Sequence, residues 1–248
     1  MSIVSMQSVS RIFQSGDTQI KALDDVTLTI EPGEFTAMVG PSGSGKTTLL
    51  NQVGGLDTPD TGTIHIDGTE ITALNRTALT RLRLWKIGFI FQEYNLIPVL
   101  SALENVEYVM LLQKINAAER RRRAEEVLSE VGLSAMAHRR PNEMSGGQQQ
   151  RVAVARAIVS KPAIVLADEP TANLDSKTGA ALLDLMRELN QQHGITFLFS
   201  THDTMVMERA RRIVYLRDGR IELDQDKDLK ELVKGEQARK TGCCGCCP

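Results

Sequence analysis

The sequence predicts an α/β fold: a mainly parallel sheet covered by helices on both faces, with a helical segment inserted into it. Three observations lead there. The short apolar runs "FTAMVG", "KIGFIF", "AIVLADE" and "ITFLFS" alternate with stretches of helical periodicity, and strands alternating with helices build a parallel sheet. Between Glu93 and Ser160 the strand signals give out, and three helical segments follow one another. The 248 residues, 42% hydrophobic and 24% charged, suffice for one large domain or for a core with a subdomain.

Taken in order, residues 20–30, "IKALDDVTLTI", alternate at Val26, Leu28 and Ile30 as a half-buried strand does, and "EPGE" turns the chain. "FTAMVG" is a more continuously apolar strand. The loop "GPSGSGKTTLL" follows it at once, and "KTTLLNQVGGL" continues as a helix. "TGTIHIDG" reads as a strand closed by an Asp-Gly turn, "RTALTRLRLW" as a helix and "KIGFIF" as a strand. The inserted helices are "SALENVEYVMLLQ", "NAAERRRRAEEVLSEVGL" and "GGQQQRVAVARAIVS". The core resumes with the strand "AIVLADE", the helix "SKTGAALLDLMRELNQQ", the strand "ITFLFS", a helix near "TMVMERARR", and the strands "IVYLRD" and "RIEL" around Asp218-Gly219. Arg120 to Arg123 read as a solvated helix face, since Glu119 with Arg123, Arg121 with Glu125 and Arg122 with Glu126 are i,i+4 pairs.

Charge narrows the partners. Lys plus Arg number 29 against 31 Asp plus Glu, a net charge of -2, so no global basic field exists to hold nucleic acid. No apolar run reaches the ~18 to 20 residues that span a bilayer, and "MSIVSMQSVSRIF" lacks the layout of a signal peptide; a cytoplasmic location is expected. All four cysteines fall in the final "CCGCCP". Their spacing does not match the usual C-x₂-C zinc pattern, so a flexible exposed tail is expected there, with metal capture, redox sensing, lipidation and an added tail as alternatives.

The chemistry begins in the loop. Gly40, Gly45, Lys46 and Thr47 satisfy G-x-x-x-x-G-K-[ST], and Ser42, Gly43, Ser44 and Thr48 complete the stretch. Glycines let backbone N–H groups converge on phosphate oxygens, and a helix N-terminus near Lys46 adds partial positive charge. Lys46 is expected to reach the outer phosphates, and the Thr47 hydroxyl to ligate Mg²⁺. "AIVLADEP" supplies the acids: Asp168 to hold the metal, Glu169 to polarise the attacking water. The loop alone fits kinases, GTPases or helicases.

The segment "MSGGQQQRVAVARA" decides among them, because it resembles the signature of the ABC ATPases at Ser145, Gly146, Gly147 and Gln148. A serine followed by two glycines at a helix start is physically a second anion site. The resemblance runs from about Ser2 to Val233. It implies a RecA-like phosphate-loop NTPase core with an N-terminal antiparallel β subdomain and an inserted α-helical subdomain. The expected divisions are a core of residues 1–92 and 161–235, a helical signature subdomain of residues 93–160, and a cysteine-rich tail of residues 236–248. It further implies that Phe13 stacks on adenine, that Gln92 lies near metal and attacking water, that Asp175 belongs to the D-loop "ANLD", and that His202 is the switch histidine near the γ-phosphate. Met144 and Asn173 depart from the family's usual residues.

Because the family sandwiches ATP between the phosphate loop of one copy and the signature of another, a homodimer holding two ATP is implied, with Mg²⁺. The stretch "FIFQEYNLIPVLSALENV", with "RRAEEVLSEVGL" and "STHD", is similar to the ATPases of lipoprotein-release, macrolide-efflux and cell-division permeases. That similarity implies membrane permease subunits, peripheral attachment to the inner face of the membrane, and a periplasmic or extracellular accessory protein. An amino-acid-type importer subunit is the alternative, and a soluble ABC regulator the third reading. Within "QEYNLIPVL", Tyr94, Leu96, Ile97 and Val99 are candidates to grip a permease, although Leu96 and Ile97 serve equally as subdomain core.

Overall fold

The structure, a computed structural model, describes residues 1–16 and 18–226; the cysteine tail and the last stretch of the expected core, within residues 227–248, lie outside them. Alternation dictates the layers. In strand β2 (Thr18–Ile30), Val26, Leu28 and Ile30 are buried while Thr27 and Thr29 between them are exposed. It pairs antiparallel with β1 (Val4–Ser15), which pairs with β4 (Thr61–Ile66), and the short β5 (Thr69–Glu70) completes a four-stranded sheet. β1 has no counterpart among the segments read in order from the sequence, because its serines and glutamine blur the alternation.

The second sheet has six strands in the order β10 (Arg220–Asp226), β9 (Arg212–Arg217), β3 (Phe35–Val39), β8 (Thr196–Thr201), β7 (Ile164–Asp168) and β6 (Ile87–Ile90). All neighbours are parallel except β9 and β10, which a tight turn at Asp218-Gly219 joins antiparallel. Each central strand feeds two cores in alternation. Phe35, Ala37, Val165, Ala167, Phe197 and Phe199 enter one; Met38, Ile164, Leu166, Leu198 and Val214 enter the other. Burial on both faces is why these strands read as continuous apolar runs.

The second of those cores lies against α1 (Lys46–Val53) and the antiparallel sheet; α2 (Arg76–Lys86) flanks it. The first is closed by α3 (Ala102–Leu112), α4 (Ala117–Glu130), α5 (Gly146–Ile158), α6 (Ser176–His193) and α7 (Thr204–Arg209). On α4 the three i,i+4 pairs of the arginine run are all formed, at the surface.

Candidate functional site

Four strand ends build the site. In register, Val39 stands beside Thr201, Asp168 beside Ser200 and Ile90 beside Ala167. The chain leaving β3, β7, β8 and β6 therefore emerges at one edge of the sheet, carrying in turn the phosphate loop, Glu169, His202 and Gln92.

From β3 the chain runs through Gly40 to Gly45 and enters α1, which has no side-chain cap and no acidic residue in its first turn. Its N-cap, Gly45, sits at φ 103, open to glycine, and a Cβ there would collide with the Ala22 carbonyl. The N–H groups of Gly43, Gly45, Lys46 and Thr47 meet no acceptor among the described residues, leaving free donors at the positive end of the helix. Ser42, Gly43 and Thr47 are exposed, Thr48 is half-buried, and the Ser44 hydroxyl is buried with no hydrogen-bond partner among the described residues. Lys46 is only 8% exposed, and its Nζ donates to the carbonyls of Gly40 and Pro41, each at 2.8 Å. Burial pushes its pKa down, against the pull of Glu169 and Asp168. A buried ammonium satisfied by loop carbonyls, beside unspent amide donors, fits an anion with several oxygens.

Asp168 ends β7 and accepts a long hydrogen bond, 3.4 Å, from the Thr47 hydroxyl. Carboxylate and hydroxyl oxygens suit a hard cation. Among the described residues no three His, Cys, Asp or Glu side chains group as a metal site, so a Mg²⁺ here would take its remaining oxygens from phosphate and water. Glu169 stands in the left-handed region, φ 45, a conformation that costs on the order of 1–3 kcal/mol and concentrates at functional sites. Its N–H is tied to the Ser200 carbonyl at 2.9 Å and its Oε2 accepts from the Thr201 hydroxyl at 3.3 Å. Its Oε1 lies 2.7 Å from His202 Nδ1. The carboxylate is 17% exposed and the imidazole 74%, so the pair joins a sheltered acid to an open histidine.

The residue after His202, absent from the sequence-predicted site, is tied into the same strand end. Asp203 caps α7, accepts the Thr171 hydroxyl at 2.7 Å, and donates its own N–H to Thr201. An aspartate just ahead of a helical pattern is the signal that would have found it.

The signature stands at the start of α5. Ser145 and Gln148 form a reciprocal capping box, at 3.4 and 2.9 Å. The two glycines are required by close neighbours: a Cβ at Gly146 would come within 2.8 Å of the Tyr94 hydroxyl, and one at Gly147 would collide with the Thr178 methyl. Asp175 caps α6, accepting from the Thr178 amide at 3.0 Å and its hydroxyl at 2.6 Å; these bonds hold its carboxyl below the ordinary value. Among the described residues none of these groups hydrogen-bonds to the phosphate loop.

Gln92 is exposed, and its carbonyl accepts from Asn173 Nδ2 at 2.9 Å. Among the described residues its side chain makes no hydrogen bond to Thr47, Asp168 or Glu169. Phe13 lies on β1, 40% exposed, with the Arg11 guanidinium 4.7 Å from its ring centroid. Of the apolar residues after Gln92, Leu96 packs on the core, Tyr94 and Ile97 are half-buried, and Val99 is 70% exposed. Leu111 and Leu112 of α3 are exposed as well.

Comparison with known proteins gives these groups a context. Residues 23–172, more than half of the chain, match the ABC transporter family. An ABC transporter ATP-binding protein of Methanocaldococcus jannaschii is 45% identical over 90% of this chain and 97% of its own length. The macrolide export ATP-binding/permease protein MacB of Hyphomonas neptunium is 47% identical over 96% of this chain, which spans only 37% of that relative. Among solved structures, a dimeric ATP-binding cassette in a post-hydrolysis state, bound to ADP and Pi, superposes with a TM-score of 0.82 at 45% identity, covering 90% of this chain and 98% of that one.

Proposed function

The chain belongs to the ABC transporter family as an ATP-binding, ATP-hydrolysing subunit, and from that premise we propose that it powers an exporter or mechanotransmission-type permease through a dimer that closes on ATP. The observation that carries the hydrolytic reading is the Glu169–His202 pair, held at 2.7 Å on the sheet edge that also bears Lys46 and Asp168. Thr47 and Asp168, with Gln92, would hold Mg²⁺, whose charge neutralises and orients the phosphates. Lys46 gives up its two loop carbonyls for phosphate oxygens and supplies the point charge there. Glu169 orients the attacking water and draws on its proton. His202, its Nδ1 turned to Glu169, keeps Nε2 free for the phosphate side, so one contact sets the orientation of both side chains.

Phe13 offers an exposed ring to the adenine. Ser145, Gly146, Gly147 and Gln148 serve the ATP held by the other subunit, and Asp175 stands at the same interface. The dimeric cassette bound to ADP and Pi, at 45% identity over nearly all of its length, supports the dimer on which this arrangement rests. MacB, a macrolide export ATP-binding/permease protein, joins an ATPase segment similar to this chain to a permease within one polypeptide, which supports the exporter type and a permease partner; an accessory protein beyond the membrane belongs to the same proposal. Among the described residues no helix is long and apolar enough to cross a membrane, so attachment would be peripheral, with Val99 and the exposed leucines of α3 as the apolar surface that meets the permease.

The test is Glu169→Gln. We expect turnover to fall by about 100-fold or more while ATP binding persists and the ATP-loaded dimer accumulates in light scattering. Wild-type turnover in that variant would remove Glu169 from the role. For the exporter reading, genes beside this one encoding a four-helix permease and a membrane-fusion protein support it; a solute-binding protein gene there would indicate import.

A further inference from the structure

The loop that carries Gln92 is held in an unusual way. Tyr94 and Asn95 are successive non-glycine residues in the left-handed region, φ 55 and 49, a conformation that two neighbours adopt together only when their surroundings impose it. The loop's carbonyls are held there by a set of side-chain donors. Gln150 Nε2 donates to the Phe91 carbonyl at 3.3 Å, and Asn173 Nδ2 to that of Gln92 at 2.9 Å. The guanidinium of Arg156 donates to the carbonyl of Tyr94 at 2.8 Å and also to that of Asn95. The remaining carbonyl, of Glu93, accepts from the Asn95 N–H.

These donors come from the signature helix and from the turn after Glu169. Gln150 and Arg156 lie on α5, the helix that begins with the signature, and Asn173 lies between Glu169 and Asp175. Gln150 is fully buried, and its one amide group also donates to the carbonyl of Pro170, the residue after Glu169, at 2.8 Å. Arg156 is half-buried and has no carboxylate in ion-pair range among the described residues. Its planar fork is spent on two backbone carbonyls, which a lysine's point charge does not span. A buried or half-buried cation kept without a counter-ion is costly, and here its contribution is to the geometry of one loop.

We propose that Arg156, Gln150 and Asn173 are positioning residues for Gln92, gripping its loop by the backbone so that Gln92 keeps register with the signature helix and with the turn that follows Glu169. The inference rests on the catalytic role given to Gln92 above. On this view Asn173 supplies the third donor side chain, and the one that holds the carbonyl of Gln92 itself.

The test is a double-mutant cycle on the full chain, reading kcat and the KM for ATP separately. Arg156→Lys is expected to lower kcat about tenfold with KM within about twofold, because the loop is misplaced while the phosphate loop is untouched. Gln92→Ala should lower kcat, and adding Arg156→Lys to it should lower kcat no further, since a residue that acts through Gln92 has nothing left to position. Asn173→Ala and Asn173→Asp should behave alike, each about threefold down in kcat, because aspartate keeps the shape but cannot donate to a carbonyl. Asn173 is exposed, so this arm stays informative if Arg156→Lys fails to fold. Multiplying defects in the Gln92→Ala background, or full activity of both Asn173 variants, overturns the inference. Wild-type kcat in Gln92→Ala alone would instead overturn the role of Gln92, and the inference with it.

Discussion

Helices α3 and α5 begin alike. In each a serine ahead of the first turn, Ser101 or Ser145, accepts from the amide three residues on, and the side chain at that third position bonds back to the serine N–H. In α3 the returning side chain is Glu104; in α5 it is Gln148. The carboxylate of Glu104 also accepts the Ser101 hydroxyl at 2.8 Å, so the positive end of α3 is neutralised by its own residue. At α5 the neutral amide satisfies the same backbone groups and leaves the helix end positive, and two glycines keep side chains out of the way. One local device thus yields a helix end closed by its own carboxylate and an uncharged, open one, and the difference is one charge and two glycines.

The most direct way to break that comparison is to make the second end a copy of the first. Gln148→Glu should keep the capping box and the fold, yet place a carboxylate where the partner's ATP is proposed to lie. Like charges facing each other at an interface cost several kcal/mol, so ATP-dependent dimers in light scattering and turnover should both fall by roughly 100-fold. ATP binding by the single chain should stay within about twofold. Dimers at the wild-type level in Gln148→Glu would show that α5 does not meet an anion.

Ser145→Ala removes the cap without adding charge. The expected loss is about 1 kcal/mol of stability, the usual worth of a serine cap, with a fall in turnover smaller than that of Gln148→Glu. Thermal melts beside steady-state rates separate the two effects, and a turnover loss as large as that of the charged variant would point to the hydroxyl rather than to the sign of the charge.

The smallest effect sharpens the comparison from the other side. Glu104→Gln turns the α3 end into the α5 type, and turnover should not change. Hydrogen bonds from the Ser101 N–H and hydroxyl hold the Glu104 carboxyl below its ordinary value of 4.5. A carboxylate depressed in the folded state adds stability above its unfolded pKa and loses it as pH falls through the folded value. Wild type should therefore melt slightly above Glu104→Gln at neutral pH, and the gap should close as pH drops below 4.5. A gap that stays constant from pH 7 to pH 3 would mean that the carboxylate's charge contributes nothing to the cap.

Much of this was legible in the chain. The phosphate loop could be read because its function lies in backbone conformation, and Gly40, Gly45, Lys46 and Thr47 are needed at fixed spacing to obtain it. The alternation in β2 and the apolar runs of the parallel strands declared one-sided and two-sided burial, and the i,i+4 pairs of α4 were visible because helical neighbours are set by local geometry alone. Asp203 was legible in principle, as an aspartate just before a helix.

Local chemistry by itself thus determined the fold class, the phosphate loop, the acids that end β7 and the capped start of the signature helix, since each rests on residues within a few positions of one another. Only the tertiary structure decided that Glu169 touches His202, 33 residues away, that Gly146 must be small because Tyr94 lies against it, and that Gln150, Arg156 and Asn173 converge on the carbonyls of a single loop. The physical reason is that a side chain reaching for a backbone carbonyl leaves no pattern in sequence: every residue offers that acceptor, and which one lies within 3 Å or so is settled by how strands and helices stack.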